Sequence, residues 1–109
     1  MGYSTPDTYN QPEAFDGLTL VATLDLLDEP YEYEMLGVWH HPDRGLLFAH
    51  DAGCSCTAPF ETYASLEALE PIDVRGLKTK VARVTASIHL NPARSEVDAF
   101  LRAARKAVA

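Results

Sequence analysis

From Leu18 to His50 apolar residues recur at every second position, in three runs parted by short turn-forming strings. A repeat of two is that of a strand with one face buried, and a helix cannot use it. In the first run Leu18, Leu20, Ala22, Leu24 and Leu26 alternate with Thr19, Val21, Thr23 and Asp25, and Asp28, Glu29 and Pro30 close it with turn chemistry. The second run is sharper. Tyr31, Tyr33, Met35, Gly37 and Trp39 share one face, against Glu32, Glu34, Leu36, Val38 and His40 on the other. Pro42, Asp43, Arg44 and Gly45 then reverse the chain, because proline presets φ and glycine accepts a positive one. Leu46 to His50 returns alongside. Strands joined this closely pair as an antiparallel meander, and the aromatic face is expected to gain by burial against helices.

The remainder of the chain supplies those helices. Phe60, Tyr63, Leu66 and Leu69 recur every third residue and predict a short helix or 3₁₀ turn, opened by Pro59 with Thr57 as cap and stopped by Pro71. Leu77, Val81, Val84 and Ile88 form a helical stripe with Asp73 placed to cap it, yet Ala82, Val84, Ala86 and Ile88 also alternate. The stretch is open, with the helix preferred. The last element is plainer: Asn91 as cap, Pro92 at the first helical position, and an apolar stripe of Val97, Phe100, Leu101, Ala104 and Val108. Glu96 and Asp98 sit early and Arg102, Arg105 and Lys106 late, as the helix dipole favours. The expected fold is α+β: a three-stranded antiparallel meander covered by C-terminal helices, in a single domain over 16–109. Residues 1–15, polar and carrying Pro6 and Pro12, are expected to be flexible or loosely docked.

At 109 residues the chain is the size of one domain. No stretch approaches the roughly 20 apolar residues that span a bilayer, so no membrane partner is expected. The N-terminus shows neither a basic nor an apolar leader region, and two cysteines are too few for a disulfide-built fold. A reduced, cytoplasmic protein is the expectation. Charge is strongly divided. Nine acidic residues and no basic one precede Arg44, whereas eight basic residues stand against Glu96 and Asp98 from Val74 onward. Such a division steers partners toward one face, or else holds the two halves of the monomer together. Arg75, Lys78, Lys80 and Arg83, with Arg94 and Arg102, are the dense basic patch. The acidic first half makes direct nucleic-acid binding unfavourable, and a solvated helix face accounts for the patch. As an alternative, the acidic half imitates a nucleic-acid backbone and blocks a host DNA-binding factor.

Chemistry-bearing residues gather in one string, His50, Asp51, Ala52, Gly53, Cys54, Ser55, Cys56, Thr57. With His50 and His40, Cys54 and Cys56 make weak candidates for a zinc site, since thiolate and imidazole suit that ion. Structural zinc sites, however, use a wider cysteine spacer and a second ligand cluster. A redox pair is normally spaced by two residues at a helix N-terminus, and a one-residue spacer strains the bridge. A cysteine–histidine nucleophile would need His40 to reach across the hairpin. The simplest reading makes both cysteines small buried fillers at a bend, with Asp51 accepting backbone hydrogen bonds in the turn. No catalytic residue and no cofactor is assigned.

The string Asp51 to Glu61, with Tyr31, Tyr33, Gly37, Val38, Trp39 and Gly45, resembles uncharacterised small proteins of actinobacterial phages and their hosts that carry a Gly-Cys-Ser-Cys-x-x-Pro-Phe-Glu motif. That resemblance implies a cytoplasmic accessory protein of phage type, acting in the host cytoplasm, and transfers no activity. The function expected is a small non-enzymatic interaction protein that binds a host protein. Its acidic strand side and aromatics, Glu29, Glu32, Glu34, Tyr31 and Tyr33, are the candidate interaction residues. A zinc-stabilised binding module is the alternative.

Overall fold

The computed structural model describes residues 6–27, 31–54, 58–87 and 92–109. The alternating runs form strands β1 (Thr19–Asp25), β2 (Glu32–His41) and β3 (Gly45–Cys54), and a two-residue strand β4 (Glu70–Pro71) adds to the outer edge of β3. The sheet is antiparallel with order β1-β2-β3-β4. It therefore has four strands rather than the expected three. β4 is too short to show a repeat in sequence. It is recognisable only through pairing, Leu47 with Pro71 and Phe48 with Glu70, continued by an Ile72 N–H donated to the Leu46 carbonyl at 3.1 Å. Pro71 has no N–H to donate and is tolerated because it lies on an edge. The β2–β3 turn takes the expected form, with Gly45 at φ 75°.

Two helices follow, α1 (Val74–Ser87) and α2 (Arg94–Ala107). The open stretch is thus helical through residue 87, and Ile88 lies outside the described residues. Asp73 caps α1, its Oδ1 accepting the Gly76 N–H at 2.6 Å. In α2 the start falls at Arg94, because Ala93 is extended (ψ 142°) and leaves Pro92 ahead of the helix. The expected cap Asn91 lies outside the described residues.

Both faces of the sheet are covered, by different kinds of structure. Leu24, Leu26, Leu36, Val38, Leu46 and Phe48 meet Leu77, Val81, Phe100 and Ala104 of the helices. The opposite, aromatic face, with Met35, Trp39, Leu47 and Ala49, meets Leu18, Phe60 and Leu69, flanked by Tyr9, Phe15, Tyr63 and Leu66. The helices thus cover the aliphatic face, and the expectation that they cover the aromatic one is corrected. The reason is hydrogen bonding. Helical carbonyls are spent on their own helix, whereas buried indole and phenol groups require acceptors. Irregular backbone supplies the acceptor for Trp39, whose Nε1 donates to the Thr8 carbonyl at 2.7 Å, while the covering loop is tied back to β3 by Tyr63 Oη donating to the His50 carbonyl at 3.0 Å.

Residues 6–15, expected to dock loosely, are held firmly. The Asp7 carboxylate accepts the N–H groups of Tyr9 and Asn10 at 2.9 and 2.6 Å, tying a local turn. Thr8 is fully buried, and both its N–H and its hydroxyl donate to the Tyr63 carbonyl, each at 2.9 Å. Gly37 marks the closest approach on this side. A Cβ there would stand 2.7 Å from Trp39 Cη2 and 3.2 Å from Phe60 Cζ.

After Pro59 the chain makes a turn, since Phe60 adopts φ 60°, a left-handed conformation that a right-handed helix cannot contain, so of the short helix or 3₁₀ turn expected here only the 3₁₀ form appears. A 3₁₀ turn follows at Leu66–Ala68. The spacing-of-three residues still share one side, all within the aromatic cluster.

Candidate functional site

The residues singled out in sequence come together at the end of the sheet where β2 begins and β3 finishes. Register places Glu32 opposite Cys54, Tyr33 opposite Gly53 and Glu34 opposite Ala52. Alternation sends Glu32, Glu34, His50 and Cys54 to the helix side and Tyr33 and Asp51 to the aromatic side. Tyr31 stands just ahead of β2 and is 73% exposed. Glu32 is exposed beside it, and Glu34 is half-buried with its Oε2 2.7 Å from His50 Nε2. Glu29 lies outside the described residues, as do Thr57 and Cys56.

Asp51 is the organiser beneath this end. Its Oδ2 accepts the Phe60 N–H at 2.7 Å and the Tyr33 hydroxyl at 2.9 Å. The role expected of it, acceptor for backbone N–H in the turn, is the one it performs. Tyr33 is consequently a strut as well as a surface residue. Phe60, fixed by that bond, is fully buried among Trp39, Tyr9 and Tyr63, with ring centroids 5.2 to 5.5 Å apart. Burial, and next the charge of Asp51, push the Tyr63 hydroxyl above its ordinary pKa of 10.0.

The cysteine readings change. Cys54 is exposed at the end of β3 and disulfide-bonded, so it is neither a buried filler nor a reduced thiol. A bridged sulfur is not a thiolate, the form needed for metal ligation or nucleophilic attack. His40 pairs with Leu46, eight strand positions from Glu32 and Cys54, a separation of about 26 Å. It is likewise about 13 Å from His50, which pairs with Leu36 four positions away. The candidate set Cys54, His50 and His40 is therefore spread along the hairpin. Among the described residues no three His, Cys, Asp or Glu side chains converge as a metal site. His41, the last residue of β2, is buried and accepts the Asp43 N–H at Nδ1 (3.0 Å), while its Nε2 has no partner among the described residues.

Charge is divided more sharply in sequence than in space. Among the described residues the ion pairs are Arg44–Glu67, His50–Glu34 and Lys80–Glu70. Among the described residues none of these pairs joins the acidic first 43 residues to the helices. Arg75, Lys78 and Arg83 on α1 and Arg94, Arg102, Arg105 and Lys106 on α2 all face solvent. The final turn of α2 lies against the start of α1, with Val108, Asp73, Val74 and Arg44 lining one hollow. Carboxylates share this end: Asp73 lines the hollow, Arg44 is paired with Glu67, Asp43 sits in the β2–β3 turn, and Asp16 precedes Gly17, where a Cβ would stand 3.1 Å from Pro42.

No helix among the described residues is long and apolar enough to cross a membrane. The family described as a domain of unknown function, DUF7574, matches residues 6–109, and the chain belongs to it. No curated protein and no solved structure matches the chain.

Proposed function

We propose that this member of the family is a non-enzymatic interaction protein whose acidic, Tyr31-bearing end engages a cationic partner protein. The observation that carries the reading is Tyr31. It is one of two large apolar side chains exposed among the described residues, and it stands directly before a rigid strand, beside Glu32 and Glu34. A tyrosine held this way offers a large contact area at small entropic cost, the usual character of an interface anchor. The surrounding carboxylates select for basic partners and raise the association rate. Asp51 and Tyr33 support the anchor from beneath, which keeps the surface organised before binding. The resemblance to phage-type proteins supports a host protein as the partner and the host cytoplasm as the place of action.

The test compares immobilised wild type with Tyr31→Ala and Glu32→Lys for retention of defined Arg/Lys-rich peptides and of host proteins. Retention that falls at least about tenfold in either variant, and weakens with salt, supports the reading. Equal retention by wild type and both variants refutes it.

A further inference from the structure

We propose that the outer edge of β1 is a strand-addition site, where an extended segment of a cationic partner protein pairs with Thr23–Asp25 and brings a lysine or arginine to Asp25 and Glu96. Such a site rests on the acidic end's selection of a cationic partner, put forward above, and names the form in which that partner binds. Asp25 pairs with Met35, three strand positions from Glu32, so the site belongs to that same end. β1 is an edge strand, and among the described residues nothing pairs with its outer side. The Leu26 N–H, donated to the Glu34 carbonyl at 2.8 Å, sets the phase of the ladder. Bonded and non-bonded positions alternate in an antiparallel pair. Leu24 and Leu26 therefore turn their backbone groups to β2, and Thr23 and Asp25 turn theirs outward.

Folded proteins blunt the edges of their sheets, and here the two edges are treated differently. Beyond β3 the short β4 carries Pro71, and the Tyr63 hydroxyl caps the His50 carbonyl. β1 has seven residues, with neither proline nor lysine among them. A bulge between Leu20 and Ala22 breaks the ladder in its first half, yet the register from Ala22 to Asp25 is regular. That regular part forms a hollow with α2, floored by Ala22, Leu24, Ala99 and Phe100. Asp25 and Glu96 are the charged residues of the lining. Both are exposed, and neither has an ion pair among the described residues. Arg94 and Arg102, the basic residues of α2 nearest Glu96 in sequence, lie about 160° and 120° round the helix from it. A lysine or arginine suits such a hollow by parts, its aliphatic stem over the apolar floor and its head at the carboxylates. Backbone pairing supplies affinity, and the hollow selects the charge. A second copy adding through its own β1 would bring another Asp25 and Glu96 to the seam, carboxylate against carboxylate, so the partner is a different protein.

The test uses a synthetic peptide of alternating lysine and valine, and the same peptide methylated at every backbone nitrogen, which keeps its charges and loses its donors. Wild type is expected to bind the plain peptide at least about tenfold more tightly than the methylated one. Amide exchange at Thr23 and Asp25 should slow at least about tenfold in the complex. Thr23→Pro, which removes an outward N–H that the β2 ladder does not use, should abolish the preference for the plain peptide. Asp25→Lys with Glu96→Lys should weaken binding at least about tenfold at about 0.05 M salt and less at about 0.5 M. Circular dichroism checks that the variants fold, and the first two measurements, made on wild type, decide the matter without them. Equal binding of the two peptides overturns the proposal, as does unchanged exchange at Thr23 and Asp25. Binding that is lost in Tyr31→Ala or Glu32→Lys but shows no preference for the plain peptide overturns the edge site alone. Binding of neither peptide overturns the cationic-partner reading as well.

Discussion

Replacing Asp51 by alanine should be the most damaging polar substitution in the protein. One carboxylate oxygen holds both the Phe60 N–H, at 2.7 Å, and the Tyr33 hydroxyl, at 2.9 Å. Hydrogen bonds to a charged acceptor contribute about 1.5–3 kcal/mol each. Asp51 is half-buried, which favours the lower end, so the pair is worth about 3 kcal/mol. A second contribution comes from Phe60. Its left-handed backbone costs about 1–2 kcal/mol and persists because the loop around it is over-determined. With the acceptor gone, relaxation of that backbone would withdraw a fully buried ring from Trp39, Tyr9 and Tyr63. The total for Asp51→Ala is about 3–4 kcal/mol. Asp51→Asn keeps one neutral acceptor and should lose about half, and Tyr33→Phe about 1 kcal/mol. Urea unfolding followed by fluorescence is a direct assay, because Trp39 is the sole tryptophan and its ring meets Phe60 edge-on at 5.2 Å. The Tyr33→Phe/Asp51→Ala double variant should be sub-additive by about 1 kcal/mol, since once Asp51 is gone the phenol keeps only its longer bond to the Ala58 carbonyl, at 3.4 Å. An Asp51→Ala loss below about 0.5 kcal/mol, or strict additivity in the double variant, refutes the reasoning.

Gly37→Ala should destabilise by about 1–3 kcal/mol in the same assay, because its Cβ would meet two buried rings that have no room to retreat; a stability equal to wild type would show that Trp39 can shift. Free-thiol titration of the unfolded protein should find no reactive cysteine before reduction and two after it, given the bridged Cys54. In an ultraviolet alkaline titration Tyr63 should ionise above its ordinary pKa of 10.0. Because the folded state holds the Tyr63 proton more tightly than the unfolded chain does, its contribution to stability is complete below pH 10.0 and is lost as pH rises through its folded-state value. Asp51→Asn should bring the Tyr63 ionisation to lower pH, and no movement would mean that burial alone raises it.

The three long strands and α2 are legible because each carries several turns of its own period, whereas the α1 stretch satisfies a helical and a strand period at once and stays open in sequence. Asp51 is legible as well, since a carboxylate beside a glycine-containing bend has few other uses. β4 is not, because two residues carry no repeat and its existence depends on Leu46 to Phe48 already being in place. Which sheet face meets the helices is equally hidden. Tyr33, Met35 and Trp39 look like a helix-binding face until one asks where the Trp39 N–H will find an acceptor, and the answer lies 31 residues away at Thr8. The docking of residues 6–15 fails in sequence for the same reason, since polar composition conceals that Thr8 is a buried bridge. Sequence shows His40 as a weak candidate beside Cys54 but not the eight strand positions, about 26 Å, that separate the two.

The layer over the aromatic face is assembled from two pieces that are more than 40 residues apart, joined where Thr8 donates to the Tyr63 carbonyl. During synthesis the ribosome releases the first piece early and the second much later. Until residue 63 has left the exit tunnel, Trp39 and its neighbours have only half of their cover. Residues 6–15 are therefore made well before residue 63 yet find their full seat only after it, and the nascent chain carries a half-covered aromatic sheet through the interval.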